Sequence, residues 1–170
     1  MGDAVSDQFT FLAKNTNLRD AAETRGHVAY LMSQQLVYRE YPMACLTAWI
    51  ETPINIDQIK VFFDPTTSLP LGYVTWAWLA PDVEQRWLTD PDATLHFSEW
   101  NEGGRLWIMD FVAPFGHGYD MARYMQRHMF PDCVEAHSIR RDQDGKVRRH
   151  SVWTARRDHT SQDRLGAANT

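Results

Sequence analysis

Trp107-Ile108-Met109-Asp110-Phe111-Val112-Ala113-Pro114-Phe115-Gly116 decides how the chain is read. Its apolar residues suggest a central strand over 105–112, buried on both faces. Asp110 interrupts that pattern. A plain core strand has no use for a carboxylate. Asp110 is therefore either paired, for example with Arg105 or Arg123, or it has a perturbed pKa and chemistry to do. The loop that follows, Ala113-Pro114-Phe115-Gly116-His117-Gly118-Tyr119, leads into a helix over 118–129, with Met121, Tyr124, Met125 and His128 on one face. Backbone N–H groups around Gly116, His117 and Gly118 can face a phosphate or an oxyanion. Two glycines in seven residues also describe an ordinary loop. His117 is a candidate base, although an exposed loop histidine usually has no such role.

Working outward, residues 22–36 read as a helix, with Val28, Leu31, Met32 and Gln35 at helical spacing and Thr24 as a cap. Tyr38-Arg39-Glu40-Tyr41-Pro42 breaks it, and 43–49 is a short helix or a strand. Strands over 58–63 and 71–79 flank the breaker-rich turn Asp64-Pro65-Thr66-Thr67-Ser68-Leu69-Pro70. Pro81 opens a helix through 89. A last pair of strands, 134–140 and 147–153, encloses Asp142-Gln143-Asp144-Gly145. The sum is an α+β domain: a mixed, mostly antiparallel sheet flanked by helices. Residues 1–20 and 161–170 read as flexible termini around a single domain over 21–160.

The chain has 170 residues, 44% hydrophobic and 23% charged, which fits one soluble globular domain. No apolar run approaches the ~20 residues of a membrane span. The first residues lack the basic and apolar regions of a secretory signal, and Cys45 and Cys133 read as reduced, buried thiols of a cytoplasmic protein. Net charge is −5, yet Arg140, Arg141, Lys146, Arg148, Arg149, Arg156 and Arg157 crowd the C-terminal part. That stripe suits an acidic partner; a solvated hairpin with a frayed end explains it equally well. The acidic remainder argues against nucleic acid. The seven histidines make no metal signature, and there is neither a nucleophile elbow nor a Walker loop. Of Trp76, Trp78, Trp87, Trp100 and Trp107, most should pack the core, and one or two can line an acyl or aromatic pocket.

Taken in order, these segments resemble the toxin-activating lysine acyltransferases, which attach fatty acyl groups to internal lysines of RTX toxins. The resemblance rests on Gly26-His27-Val28-Ala29-Tyr30-Leu31-Met32-Ser33, Gly72-Tyr73-Val74-Thr75-Trp76-Ala77, Trp100-Asn101-Glu102-Gly103-Gly104-Arg105-Leu106-Trp107 and, most specifically, the stretch around Asp110. Phe130-Pro131-Asp132, Ile139-Arg140 and Gly145-Lys146-Val147 extend it. It implies a GNAT-like acyltransferase fold, no tightly bound cofactor, an acyl-phosphopantetheine on acyl carrier protein as donor, and a cytoplasmic site; it permits a homodimer. It also implies that Asp110 is catalytic, with a His near the end of the first helix as its partner. Here Tyr38 stands in that His position, and Gln35 replaces a Ser three residues earlier. If 27–38 were one helix, His27 and Tyr38 would share a face but lie ~16 Å apart along the axis. His27 is thus a poor substitute for the missing base, and enters only as a residue lining the substrate site with Gly116, His117, Gly118, Trp76 and Trp107. Arg140, Arg148 and Arg149 are the candidate carrier-docking residues.

Tyrosine, with a reference pKa of ~10, is a poor base for an ammonium at neutral pH. The first expectation is therefore an acyltransferase repurposed toward a small-molecule, peptide or carrier-bound acceptor in a biosynthetic pathway, with Asp110 and Tyr38 catalytic. Retained lysine acylation of an RTX-type protoxin is the second, and a non-catalytic carrier-protein or acyl-binding protein the third.

Overall fold

The computed structural model describes residues 18–142 and 145–154. The expected terminal segments, with Arg156 and Arg157, lie largely outside them. Five strands form one sheet in the order β1 to β5: β1 Ile59–Phe63, β2 Pro70–Leu79, β3 Arg105–Val112, β4 Glu135–Arg141 and β5 Val147–Thr154. All neighbours are antiparallel except β3 and β4. Asp64 closes the β1–β2 hairpin, its Oδ1 accepting from the Thr66 and Thr67 N–H groups at 2.9 and 2.7 Å and from Thr67 Oγ1 at 2.9 Å. Pro70 is the first residue of β2 rather than the last of the turn, a strand position where its missing N–H is tolerated.

The helices cover the two faces of the sheet. On one lies α1, Leu18–Ser33, which starts four residues before the expected 22 and ends three before 36. Thr24 is accordingly not a cap but a buried residue of the helix interior. Val28, Leu31 and Met32 of α1 pack with Ile50 and Ile54 against Val61, Tyr73 and Val112. Burying each such aliphatic side chain is worth ~1.5–3 kcal/mol. The segment left open between helix and strand is helical, with a wide π turn at Leu46–Ile50 running into α2, Glu51–Asn55. Pro53 has no N–H to offer the carbonyl four residues back, so a regular ladder cannot continue there. Further along the same sheet face, α3 (Pro81–Thr89) sets Val83 against Ala77, Leu79 and Trp107. On the opposite face α4, Gly118–Tyr124, ends in a second π turn, Met125–Met129; Met121 and Met125 pack on Phe62, Val74, Trp76 and Leu106.

A bulge in β3 sets which face receives Asp110. Thr75 pairs with Asp110 but its neighbour Trp76 pairs with Ile108, so Met109 has no partner on β2. Leu106 and Ile108 point to the α4 face, Trp107 and Met109 to the other. Unbroken alternation would send residue 110 to the α4 face with Ile108. The extra residue instead puts Asp110 opposite Thr75 on the α1 face and returns Phe111 to α4. The Thr75 hydroxyl, itself buried, accepts the Asp110 N–H at 3.0 Å.

β3 is central, as expected, but is not buried on both faces throughout. Met109, Asp110 and Phe111 are partly exposed. The reason is the parallel neighbour: β3 and β4 share a single registered pair, Trp107 with His137. No further pair is registered between them.

Candidate active site

The chain brings Tyr38 to Asp110 by stopping α1 early. Ser33 Oγ donates to the Tyr30 carbonyl at 2.6 Å, and the Gln34 and Gln35 N–H groups bond Leu31 and Met32 in a tightened last turn. A separate 3-10 turn, Tyr38–Glu40, follows, tied back by Arg39 N–H to the Gln35 carbonyl at 3.1 Å. Tyr41 meets Tyr38 edge-on at 6.2 Å and Trp49 at 5.0 Å, which props the turn on the π segment. Residues 27–38 are therefore not one helix. His27 packs edge-on against Phe63 of β1, with ring centroids 4.9 Å apart.

The Tyr38 hydroxyl donates a hydrogen bond to Asp110 Oδ1. Among the described residues Asp110 is thus neither ion-paired nor free. Arg105 is held by Glu84 at 2.5 Å, and the Arg123 guanidinium lies over the Tyr119 ring at 5.6 Å. Burial pushes the Asp110 carboxyl up to about 6, the bond from Tyr38 opposing that rise. The Tyr38 phenol is raised well above its ordinary range, first by burial and then by the carboxylate beside it. Near neutral pH the proton accordingly stays on Tyr38, while about nine in ten Asp110 side chains are ionised, as a pKa one unit below the pH requires. The site holds a carboxylate poised to accept a proton and a phenol poised to donate one.

Tyr73 completes the polar group on this face. It is fully buried two residues from Thr75, and sequence reasoning read it only as a strand residue. Thr75 was missed in the same way. Both stand on the Asp110 face by simple alternation with Ala77, which was the available signal.

Of the other expected site residues, the loop ones lie between the end of β3 and the start of α4. Gly116 has φ +90, a backbone that only glycine adopts readily, and nothing crowds the position of a Cβ. Its N–H is directed to the Ala113 carbonyl at 3.4 Å, and α4 begins two residues on at Gly118, with His117 before it. Phe115 lies 6.5 Å from Tyr30 of α1. The Asp64 carboxyl of the β1–β2 turn is held below its ordinary range by the Thr67 N–H and hydroxyl first, with the His117 ring as a lesser influence. The tryptophans are engaged elsewhere. Trp107 is fully buried, stacked on His137 and His150 at 5.2 and 5.3 Å, with its N–H on Glu84 at 3.2 Å. Trp76 packs edge-on against Phe130 at 5.5 Å. Both serve packing, because the alternation of their strands turns them into the two cores.

A cavity of about 270 Å³ opens on the α4 face. Buried Val74, Leu106 and Met125 lie at its floor; exposed Tyr119, Gln126 and Trp153 line its mouth. Ile108 and Phe111, which flank Asp110 on β3, also face into it. Trp153 stacks on Phe111 at 6.1 Å and donates to Ser138 Oγ at 3.1 Å. The cavity and Asp110 thus lie on opposite faces of β3.

Arg140, Arg148 and Arg149 are exposed, Arg140 directly opposite Arg149 across β4 and β5. Arg141 is not part of a solvated stripe: it donates to the carbonyls of Trp87 and Gly145 at 2.6 and 2.7 Å and covers the Trp87 ring at 4.8 Å. Cys45 and Cys133 are free thiols, but only partly buried. Among the described residues no cluster of three or more His, Cys, Asp or Glu is arranged to hold a metal, and no helix is long and apolar enough to cross a membrane.

The α+β fold thus carries a carboxylate with a raised pKa and a phenol donor on one face of β3 and an apolar cavity on the other, and the family match makes the chain an acyltransferase. The sequence matches the RTX toxin acyltransferase family over residues 17–154, and the chain belongs to that family. It is 33% identical to the RTX-III toxin-activating lysine-acyltransferase of Actinobacillus pleuropneumoniae over 118 residues, 69% of this chain and 66% of that protein. It is 29% identical to the protein-lysine myristoyltransferase HlyC of Escherichia coli over 116 residues, 68% and 64% of the two chains. The chain thus spans about two thirds of the length of these relatives. An uncharacterized protein of Synechocystis sp. is 27% identical over 142 residues, 84% of this chain and 92% of that one.

Proposed function

We propose that this chain transfers a fatty acyl group from the phosphopantetheine thioester of an acyl carrier protein to an amine, in the cytoplasm, with a protein lysine as the first acceptor. The Tyr38–Asp110 pair carries the reading. The lysine is favoured by the relatives, two of which are named lysine acylating enzymes. In the step, the amine nitrogen attacks the thioester carbon. Asp110 accepts the proton that the nitrogen must lose, the C–S bond breaks, and the departing sulfur takes that proton, leaving an amide and a free thiol. Tyr38 donates toward the carbonyl oxygen as charge develops on it, together with the N–H groups of His117 and Gly118.

The acyl tail fits the cavity on the α4 face of β3, between Ile108 and Phe111 and the residues of α4. Each methylene that enters should improve apparent affinity ~4-fold until the cavity is full. Arg140, Arg148 and Arg149 supply the positive surface for the acidic carrier.

Tyr38 favours a second reading, an acceptor less basic than lysine. A carboxyl with a pKa near 6 is about four units below a lysine ammonium, a deficit of ~6 kcal/mol for direct deprotonation. An α-amino group, with a pKa near ~8, leaves less than half of that. A small molecule or peptide amine would then be the acceptor. The experiment is a competition: acyl-carrier protein is offered a lysine-bearing polypeptide with its α-amine blocked, and the same polypeptide with the α-amine free and the lysines blocked. Intact mass reads the product. Acylation of the first supports the lysine acceptor, of the second alone the less basic one. No acylation of either, with the thioester intact, refutes acyl transfer to amines.

A further inference from the structure

Tyr73 presents an anomaly that packing does not explain. Its side chain is wholly buried, yet its hydroxyl has no side-chain or backbone partner; among the described residues only Arg25 Nε shares that condition. A buried hydroxyl left without a partner costs about 1–3 kcal/mol, and phenylalanine would fill the same space without that cost. The location gives the oxygen a use. Tyr73 pairs with Val112, and Thr75, two residues on, pairs with Asp110, so Tyr73 and Asp110 are diagonal neighbours on the α1 face. Diagonal neighbours on one face of an antiparallel pair lie within reach of an aromatic side chain. The Asp110 carboxylate and the Tyr38 phenol are also the two groups whose charge bears on the Tyr73 phenol. Tyr38 occupies Oδ1 of Asp110. Two phenols therefore flank one carboxylate, and only one of them is bonded to it.

We propose that Tyr73 is a positioning residue for Asp110: the donor that takes over the carboxylate when Tyr38 leaves it for the reacting carbonyl. The reaction requires such a substitute. If Tyr38 turned to substrate with nothing in its place, Asp110 would stay ionised among the apolar side chains of the α1 face without a side-chain donor. With Tyr73 in reserve the exchange keeps one donor on the carboxylate throughout, and Asp110 remains aimed at the incoming amine. The hydroxyl without a partner in the resting state is the cost of having the second donor ready.

This inference rests on the role proposed for Asp110, but its first test does not depend on activity. The Asp110 carboxyl, labelled with carbon-13 and assigned by its loss in Asp110→Asn, is titrated by NMR in the wild type, Tyr73→Phe, Tyr38→Phe and the double variant. Tyr73→Phe should titrate as wild type, since Tyr38 alone holds the carboxylate at rest. Tyr38→Phe should change the proton affinity of Asp110 less than threefold, because Tyr73 takes the vacated place. The double variant, with neither donor, should bind the proton about 10- to 100-fold more tightly, the effect of losing a hydrogen bond to a charged group. A double variant that titrates as Tyr38→Phe does would overturn the proposal. In transfer assays Tyr73→Phe should lower kcat about 10- to 100-fold at unchanged KM and move the acidic limb of the pH profile upward. An unchanged kcat would overturn the role in turnover. If no transfer is found at all, the proposed function fails while the titration still decides whether Tyr73 serves Asp110.

Discussion

Replacing Asp110 by Asn should stabilise this protein, and the gain should depend on pH. A free aspartate carboxyl has an ordinary pKa of 3.8, and burial raises it to about 6 in the fold. That gap is worth ~3 kcal/mol. Its sign follows from proton binding. Between pH 3.8 and about 6 the folded chain holds a proton that the unfolded chain has released. Stability therefore falls as pH rises through that window and stays lower above it. Asn carries no charge at any pH and keeps an oxygen to accept the Tyr38 proton. The linkage relation puts the advantage of Asn at ~3 kcal/mol at pH 8 and ~1 kcal/mol at pH 4.5. The difference between the two, ~2 kcal/mol, is the quantity to read, because the cost of fitting an amide into the site is the same at both. For a chain of this size it corresponds to a melting temperature shift about 4–8 °C larger at pH 8 than at pH 4.5. Scanning calorimetry of the two proteins at the two pH values measures it. A shift of equal size at both, or a larger one at the lower pH, would refute the claim that Asp110 is held ionised in the fold at a cost.

Three further outcomes follow from the geometry around the pair. Thr75→Val keeps the shape but removes the oxygen that accepts the Asp110 N–H inside the bulge; it should cost about 1–3 kcal/mol in denaturant melts and lower turnover with Asp110 misplaced. Gly72→Ala would bring a Cβ within 2.6 Å of both the Met121 sulfur and the Val112 carbonyl oxygen. The methionine can yield but the backbone of β3 cannot, so a loss of about 1–3 kcal/mol is expected from overpacking beside the site, read by urea unfolding. Arg149→Glu should weaken binding of acyl-carrier protein in fluorescence anisotropy and flatten its salt dependence; unchanged affinity would remove the arginine surface from the docking account.

Much of the scaffold could be read in the chain. β3 has the bounds that its composition suggested, and α3 starts at Pro81 as a proline in the first helical turn implies. The parts that escaped reading depend on tertiary context. Nothing in Trp107-Ile108-Met109-Asp110 marks Met109 as the bulged residue, because the bulge exists only in the register with β2. Yet that one residue decides which face Asp110 serves. The π turn before α2 and the early stop of α1 were likewise invisible to periodicity, which cannot separate a wide turn from a regular one over five residues. Arg141 read as surface charge because its partners, the carbonyls of Trp87 and Gly145, carry no sequence signal. Tyr38 entered as a candidate through the family resemblance alone; the structure adds its bond to Asp110. Trp76 and Trp107, named as candidate pocket residues among tryptophans mostly expected in the core, are both buried there. The expectation of a small-molecule acceptor gains no support from the named relatives, which favour lysine.

The central claim, that Asp110 with Tyr38 drives acyl transfer, is met most directly by mixing stoichiometric protein with a carrier-bound fatty acyl thioester and a lysine-bearing acceptor. Thioester loss and amide gain are then followed by intact mass for the wild type and Asp110→Asn. The wild type should move the acyl group from carrier to acceptor one for one, and the variant should do so about 10²- to 10⁴-fold more slowly, the usual contribution of a general base. Equal rates in the two proteins would contradict the account.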